Sequence, residues 1–153
     1  MSRAFVREGD GAEPPPERAL SPHPNLVTPR GLAALEARVR ELEGERAAAR
    51  AAADTALGER IERDLRYFSA RRASARLVTP GGATDKVRFG MRVTLATPAG
   101  TSLAYRLVGE DEADAARGLL SWVSPLAQAL LGRERGETLE FQGVEAEIVS
   151  IEP

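Results

Sequence analysis

The chain contains no cysteine, which excludes disulfides, thiolate metal sites and a cysteine nucleophile. It has one histidine, His23, which lies between two prolines. A lone imidazole without nearby partners makes neither a metal site nor a Ser-His-Asp triad, so we interpret His23 as a solvated loop residue. No apolar run approaches the roughly 18 residues of a membrane span, and no apolar core of a signal peptide is present. We therefore expect a cytoplasmic protein that does not bind membranes.

Aromatic residues are also scarce, at 5% of the 153 residues, so aliphatic side chains must fill the core. The net charge of −2 argues against non-specific affinity for nucleic acid as the main activity. A chain of this length suits one ordinary domain or two small ones. Residues 1–25 are rich in proline and glycine and poor in apolar side chains, which predicts a disordered tail.

Residues 26–78 carry the pattern of two amphipathic helices. Thr28 and Pro29 suit the start of the first helix. Apolar residues then recur at steps of three and four, with no proline between the two series: Leu32, Leu35, Val39 and Leu42, then Leu57, Ile61, Leu65 and Phe68. This pattern predicts an antiparallel coiled-coil hairpin. We place its turn at residues 53–55, where Asp54 or Thr55 could cap the second arm, with a turn at residues 57–58 as the alternative.

The second arm is rich in arginine, at Arg60, Arg63, Arg66 and Arg71. Such a run is typical of a solvated helix face whose charges pair with neighbouring acids. The alternative is indirect contact with nucleic acid or with an acidic partner. The residue types alone favour the solvated face without excluding that contact.

In residues 79–153, apolar and polar residues alternate with a period of two, which is typical of strands. We predict strands at residues 87–96, with a kink at Phe89-Gly90, and at residues 102–108, 119–123, 138–142 and 144–151. A short helix is expected from Ser124 to Leu131, with Ser124 as its cap and Gly132 in a left-handed exit. The predicted fold class is therefore α+β: a helical hairpin followed by a small antiparallel sheet with one short helix.

The stretch from residue 106 to 137, RLVGEDEAD followed by SWVSPLAQALLGRERGE, resembles the C-terminal domain of the bacterial GreA/GreB transcript-cleavage and elongation factors. The resemblance covers residues 76–152 well and residues 26–78 more loosely. It implies an FKBP-like fold for residues 79–153 and RNA polymerase as the partner of a monomeric factor. It also implies docking on the polymerase at the mouth of its secondary channel through a set of matching positions: Asp111, Glu112, Asp114, Ser124, Pro125, Leu126 and Ala127.

In that family, two acidic residues at the hairpin tip hold a second Mg²⁺ that activates water to cut backtracked RNA. The Gly-Asp-x-x-Glu-Asn motif that carries them is missing here, and the arms are shorter than those of the family. Asp54 and Glu59 are the candidates that remain at the tip, and an N-cap is the ordinary role for Asp54. The chain also resembles Rnk, a regulator of nucleoside diphosphate kinase with the same plan.

We therefore expect a regulator of transcription elongation that is not an enzyme and that holds no metal or cofactor. One alternative is a cleavage-stimulating factor that uses Asp54 or Glu59 at its tip. The other is a Rnk-like regulatory interaction module.

Overall fold

The computed structural model describes residues 13–153. Two long helices form a hairpin whose base is closed by two short parallel strands, and a five-stranded sheet with one short helix follows, so the α+β prediction is confirmed. None of the helices in these residues is long and apolar enough to cross a membrane. The elements are β1 (Leu26–Val27), α1 (Pro29–Ala51), α2 (Thr55–Ser74), β2 (Arg76–Leu77), β3 (Arg92–Ala96), β4 (Ser102–Val108), a 3₁₀ turn (Ala115–Arg117), β5 (Leu119–Ser121), α3 (Pro125–Leu130), β6 (Thr138–Phe141) and β7 (Val144–Glu152).

The ends of the hairpin helices are set by local capping, as predicted. The Thr28 hydroxyl accepts a hydrogen bond from the Gly31 N–H at 3.0 Å, and Pro29 occupies the first helical position of α1. The Asp54 carboxylate accepts from the Leu57 N–H at 3.1 Å and starts α2. The chain therefore reverses between Ala51 and Thr55, and the alternative turn at residues 57–58 is wrong because α2 runs through Gly58.

An aliphatic seam holds the two helices together. Its buried members are Val39, Leu42, Ala49, Ile61 and Leu65, with Phe68 packed against them. The predicted seam residue Leu57 is 37% exposed, because it lies one turn from the tip where α1 has already ended. The seam therefore weakens towards the tip.

The sheet has the strand order β5-β4-β3-β7-β6. Three of its pairings are antiparallel, whereas β5 runs parallel to β4, so the sheet is mixed rather than purely antiparallel. The parallel strand results from the loop at residues 109–118, which brings the chain back to Arg106, so that β5 runs beside the last three residues of β4 in the same direction. The predicted first strand is shorter than expected because Gly90, at φ 86°, breaks it before Arg92.

One face of the sheet and α3 enclose an aliphatic core, as the shortage of aromatic residues requires. Its fully buried members include Val93, Leu95, Leu107, Leu130 and Ile148. Ser124 caps α3, and Gly132 leaves it at φ 81°, as predicted.

The predicted disordered tail needs a correction where the structure describes it. Residues 1–12 lie outside the described residues. Residues 13–25 form no helix or strand, yet they lie against α2, with Arg18 stacked over Tyr67 and Asn25 buried. Composition shows that such a segment cannot build a core, but it does not show the ion pairs and ring contacts that hold it.

Two glycines inside the hairpin helices offer a direct test of the fold. A Cβ added at Gly44 or at Gly58 would meet no atom within 4 Å. We expect Gly44→Ala and Gly58→Ala each to raise the free energy of unfolding by about 1 kcal/mol in urea denaturation, because alanine favours the helix. The matched change Gly132→Ala should lower it, because its backbone is left-handed. Equal responses at the three positions would contradict this assignment.

Candidate functional site

The acidic loop, residues 109–114, lies between the sheet and the base of the hairpin. It follows directly after β4, and its first residue is in close contact with β1. A Cβ at Gly109 would come within 2.4 Å of the main-chain oxygen of Leu26, so only glycine fits there. This close approach places the carboxylates that follow against the hairpin.

Arg71 of α2 is the centre of this contact and is only 3% exposed. Its Nε donates to the Asp111 carboxylate at 2.6 Å, and its Nη2 donates to the Asn25 side-chain oxygen at 2.7 Å. Glu110 lies 3.5 Å from the same Nη2. For Arg71, both the predicted solvated face and the alternative of indirect nucleic-acid contact are therefore wrong, because its guanidinium is buried and its partners lie within the protein.

Two further side-chain bonds join the acidic loop to the hairpin. Asp111 also accepts from the Tyr67 hydroxyl at 2.6 Å, and the Thr28 hydroxyl donates to Glu112. Burial and the bond to Asp111 raise the pKa of Tyr67 to about 12, so its hydroxyl stays a donor at neutral pH. We call the whole set the hairpin joint, which consists of Asn25, Thr28, Tyr67, Arg71, Glu110, Asp111 and Glu112.

Two predicted docking residues, Asp111 and Glu112, use their side chains for bonds within the joint. The Asp111 side chain is only 13% exposed, so the exposed part of this residue is main chain. Glu112 reaches the first turn of α1, where one carboxylate oxygen lies 2.8 Å from the position of a Cβ on Gly31. Both carboxylates therefore have internal partners that the sequence analysis did not predict.

The remaining predicted docking residues lie around β5 and α3. Asp114 exchanges main-chain hydrogen bonds with Leu119 at 2.8 and 3.0 Å. Ser124 caps α3 by accepting from the Ala127 N–H at 3.3 Å, Pro125 is exposed, and Leu126 is half-buried. Ala127 is 0% exposed and belongs to the core, so its prediction as a contact residue is wrong.

The hairpin tip carries few carboxylates. One oxygen of Asp54 is engaged in the N-cap, and Glu59 is exposed one turn further along α2. Glu62 lies 3.7 Å from Arg46 and 3.5 Å from Arg50, in ion pairs that tie the two arms together. Within residues 13–153, no group of three or more histidine, cysteine, aspartate or glutamate side chains is placed to hold a metal ion.

The other arginines of α2 follow the solvated interpretation only in part. Arg63 pairs with Asp64 at 3.1 Å, and Arg66 pairs with Glu17 from the preceding segment. Arg60 is exposed and forms no ion pair within the described chain. The two pairs use a neighbour on the same helix and a residue 49 positions away.

Sequence reasoning missed Asn25, Tyr67 and the buried state of Arg71. One signal was available for Arg71, because it follows Phe68 by three residues and so continues the apolar seam. A charged residue at a seam position indicates a buried ionic partner rather than a solvated face. Nothing local in the sequence points to Asn25 or to the Tyr67 hydroxyl.

The joint predicts a difference between two adjacent arginines. Arg71→Ala should lower the free energy of unfolding by about 3 kcal/mol, because it leaves the Asp111 carboxylate buried without its cation. The control, Arg72→Ala, changes an exposed side chain and should shift stability by less than about 0.5 kcal/mol. Chemical denaturation of both variants measures this, and similar losses would contradict the central place of Arg71.

Comparison with known proteins agrees with the resemblance of the acidic loop and α3. A family model described as "Transcription elongation factor, GreA/GreB, C-term" matches residues 82–153. The chain is 41% identical over 139 residues to transcription elongation factor GreB of Xanthomonas axonopodis pv. citri. This match covers 77% of this chain and 80% of that relative. It is 38% identical over 85 residues to transcription elongation factor GreA of Verminephrobacter eiseniae, where the match spans 54% of each protein.

Among solved structures, GreA factor homolog 1 of Thermus thermophilus superposes with a TM-score of 0.43 at 21% identity, covering 86% of this chain and 100% of that one. The relationship itself rests on the sequence matches, above all on the long match to GreB. These matches show that the chain belongs to the GreA/GreB family of transcription elongation factors.

Proposed function

We propose that the chain is a transcription elongation regulator that binds RNA polymerase as a monomer, docks through its sheet domain and places its hairpin at the secondary channel. We propose further that it does not stimulate transcript cleavage. The relatives that are named elongation factors support the general role. The proposed mode of docking is supported by the hairpin joint and by the surface around α3, and the proposed lack of cleavage stimulation is supported by the tip.

The hairpin has the form that a channel-inserting element needs. Its arms contain 23 and 20 residues, which corresponds to a reach of about 30 to 35 Å at 1.5 Å per residue. The hairpin joint fixes the base of these arms to the sheet domain. A partner that binds the sheet domain would therefore also set the position of the tip.

We propose a docking surface composed of Asp114, Pro125 and Leu126, with Ser124 shaping the start of α3. Pro125 is exposed, and Asp114 and Leu126 are half-exposed, so these side chains can reach a partner. Asp111 and Glu112 support this surface indirectly, since their carboxylates hold the acidic loop on the hairpin. Ala127 takes part only as a core residue beneath the surface.

The single observation that carries the non-cleaving proposal is the state of Asp54. A second Mg²⁺ at a polymerase active site requires free carboxylate oxygens at the tip. Here one oxygen of the Asp54 carboxylate accepts the Leu57 N–H, which leaves a single oxygen at the turn, and the nearest further acid on α2 is Glu59. Arg46 and Arg50 lie close by and already occupy Glu62.

The test combines a pull-down on RNA polymerase with transcript cleavage in a stalled, backtracked complex. We expect binding without faster cleavage. Asp114→Lys should weaken binding by about tenfold, the effect of a moderate interface residue. The control is Glu140→Lys, which makes the same charge change at an exposed position of β6. Because β6 is the opposite edge of the sheet, this variant should leave binding unchanged.

Other outcomes would replace this proposal. Faster cleavage that is lost in Asp54→Ser or Glu59→Gln would show that the tip carboxylates act at the polymerase. Serine is suited to this comparison because it retains N-capping while removing the carboxylate. Absence of binding would favour the regulatory interaction module resembling Rnk.

A further inference from the structure

A short segment before the hairpin, residues 13–18, lies on the flank of α2 near the tip. We call it the strap. Both carboxylate oxygens of Glu17 accept from Arg66 Nε at 3.1 Å, and Arg66 Nη2 donates to the same carboxylate. Arg18 pairs with Asp64 at 3.4 Å, and its guanidinium lies 4.0 Å from the centre of the Tyr67 ring. Charge and ring contacts therefore fix the strap on one side of α2.

Going back along the chain from Glu17 to Pro14, the strap runs beside α2 from Arg66 towards the tip. Its three prolines line one side of a groove of about 860 Å³. The other side is formed by the end of α1, the turn and the first turns of α2, including Arg50, Ala53, Thr55 and Gly58. The part of the hairpin that would lead into a channel is thus flanked by a segment of its own chain. The strap therefore widens the hairpin at the end that, in the proposed function, enters the secondary channel.

The strap is attached in a way that permits its release. The side chains of Arg66 and Glu17 are 57% and 63% exposed, whereas those of Arg71 and Asp111 in the hairpin joint are 3% and 13% exposed. Within the described residues, no main-chain hydrogen bond links residues 13–23 to α2. Exposed ion pairs contribute little each and are screened by salt. The strap can therefore leave while the joint stays closed.

The chemistry of Arg66 indicates what would take the place of the strap. A guanidinium presents a planar fork that binds carboxylate and phosphate oxygens with the same geometry. Hydrogen bonding from Arg66 lowers the pKa of Glu17, so the carboxylate remains charged and keeps the fork occupied. Glu17 thus occupies the site that an oxyanion of a partner would use.

We propose that the strap is an autoinhibitory element in which Glu17 masks Arg66, and that an acidic side chain of RNA polymerase, a carboxylate like that of Glu17, displaces it when the hairpin inserts. This proposal rests on the proposed function, because the partner is the same polymerase. It assigns Arg66 and the covered flank of α2 as a contact surface. Arg60 and Arg63, six and three residues before Arg66, extend the surface towards the tip.

Release of the strap can be measured in the free protein, because the chain has no cysteine to interfere with labelling. Spin labels at Pro14→Cys and Gly58→Cys lie on the same groove, and a side chain at Gly58 meets no neighbouring atom. We expect one short distance between the labels. Glu17→Gln and Arg66→Gln should each shift part of the population to longer distances, whereas the control Glu13→Gln in the same segment should not. A long distance in the unaltered background, or no shift on Glu17→Gln, would overturn the proposal.

Polymerase titrations with the unlabelled full chain test the masking itself. Glu17→Gln should tighten binding by up to about fivefold, the range of an exposed ion pair. Arg66→Gln also releases the strap but removes the fork, so it should not tighten binding, and Glu13→Gln should leave it unchanged. We expect this gain with core polymerase alone. A gain only in complexes that hold a transcript would overturn the proposal, because phosphates would then be the ligand of Arg66.

The two proposals fail differently. If the chain and all variants fail to bind polymerase, the proposed function is wrong and autoinhibition falls with it, even where the label distances show that the strap opens. If Asp114-dependent binding is present but Glu17→Gln does not tighten it, the proposed function stands and the masking role of the strap is wrong.

Discussion

The rest of the structure depends on one buried guanidinium, that of Arg71. Removing this charge from water is costly, so its position is stable only while Asp111, Glu110 and Asn25 surround it. These partners come from the segment before β1 and from the loop after β4. A single ionic cluster thus connects three distant parts of the chain and fixes the hairpin to the sheet domain.

This arrangement divides the acidic loop into two sides with different tasks. Glu110, Asp111 and Glu112 face the hairpin, while Asp114 lies beyond them beside β5. In the proposed function, a partner that grips the β5 edge would orient the tip through the joint, without contacting the hairpin base. In the proposed autoinhibition, the strap acts at the opposite end of the hairpin from the joint, because its exposed contacts lie on α2 near the tip.

The sequence was most informative where structure is set by neighbouring residues. Thr28, Asp54 and Ser124 each bond to an N–H three residues ahead, so the helix starts could be predicted from local chemistry. Arg71 and Asp111 are 40 residues apart, and no local pattern pairs them. The parallel direction of β5 depends on the path of the acidic loop, and the burial of Ala127 depends on which face of α3 meets the sheet.

The most direct test of the central role of the joint is a set of residual dipolar couplings measured by NMR in weakly aligned protein. Couplings from α1 and α2 and couplings from the sheet each define an alignment tensor for their own part of the chain. We expect the two tensors to have the same magnitude and orientation, because the Arg71 cluster makes both parts one rigid body. Tensors of clearly different magnitude would show that the hairpin moves independently, and would contradict the role assigned to Arg71.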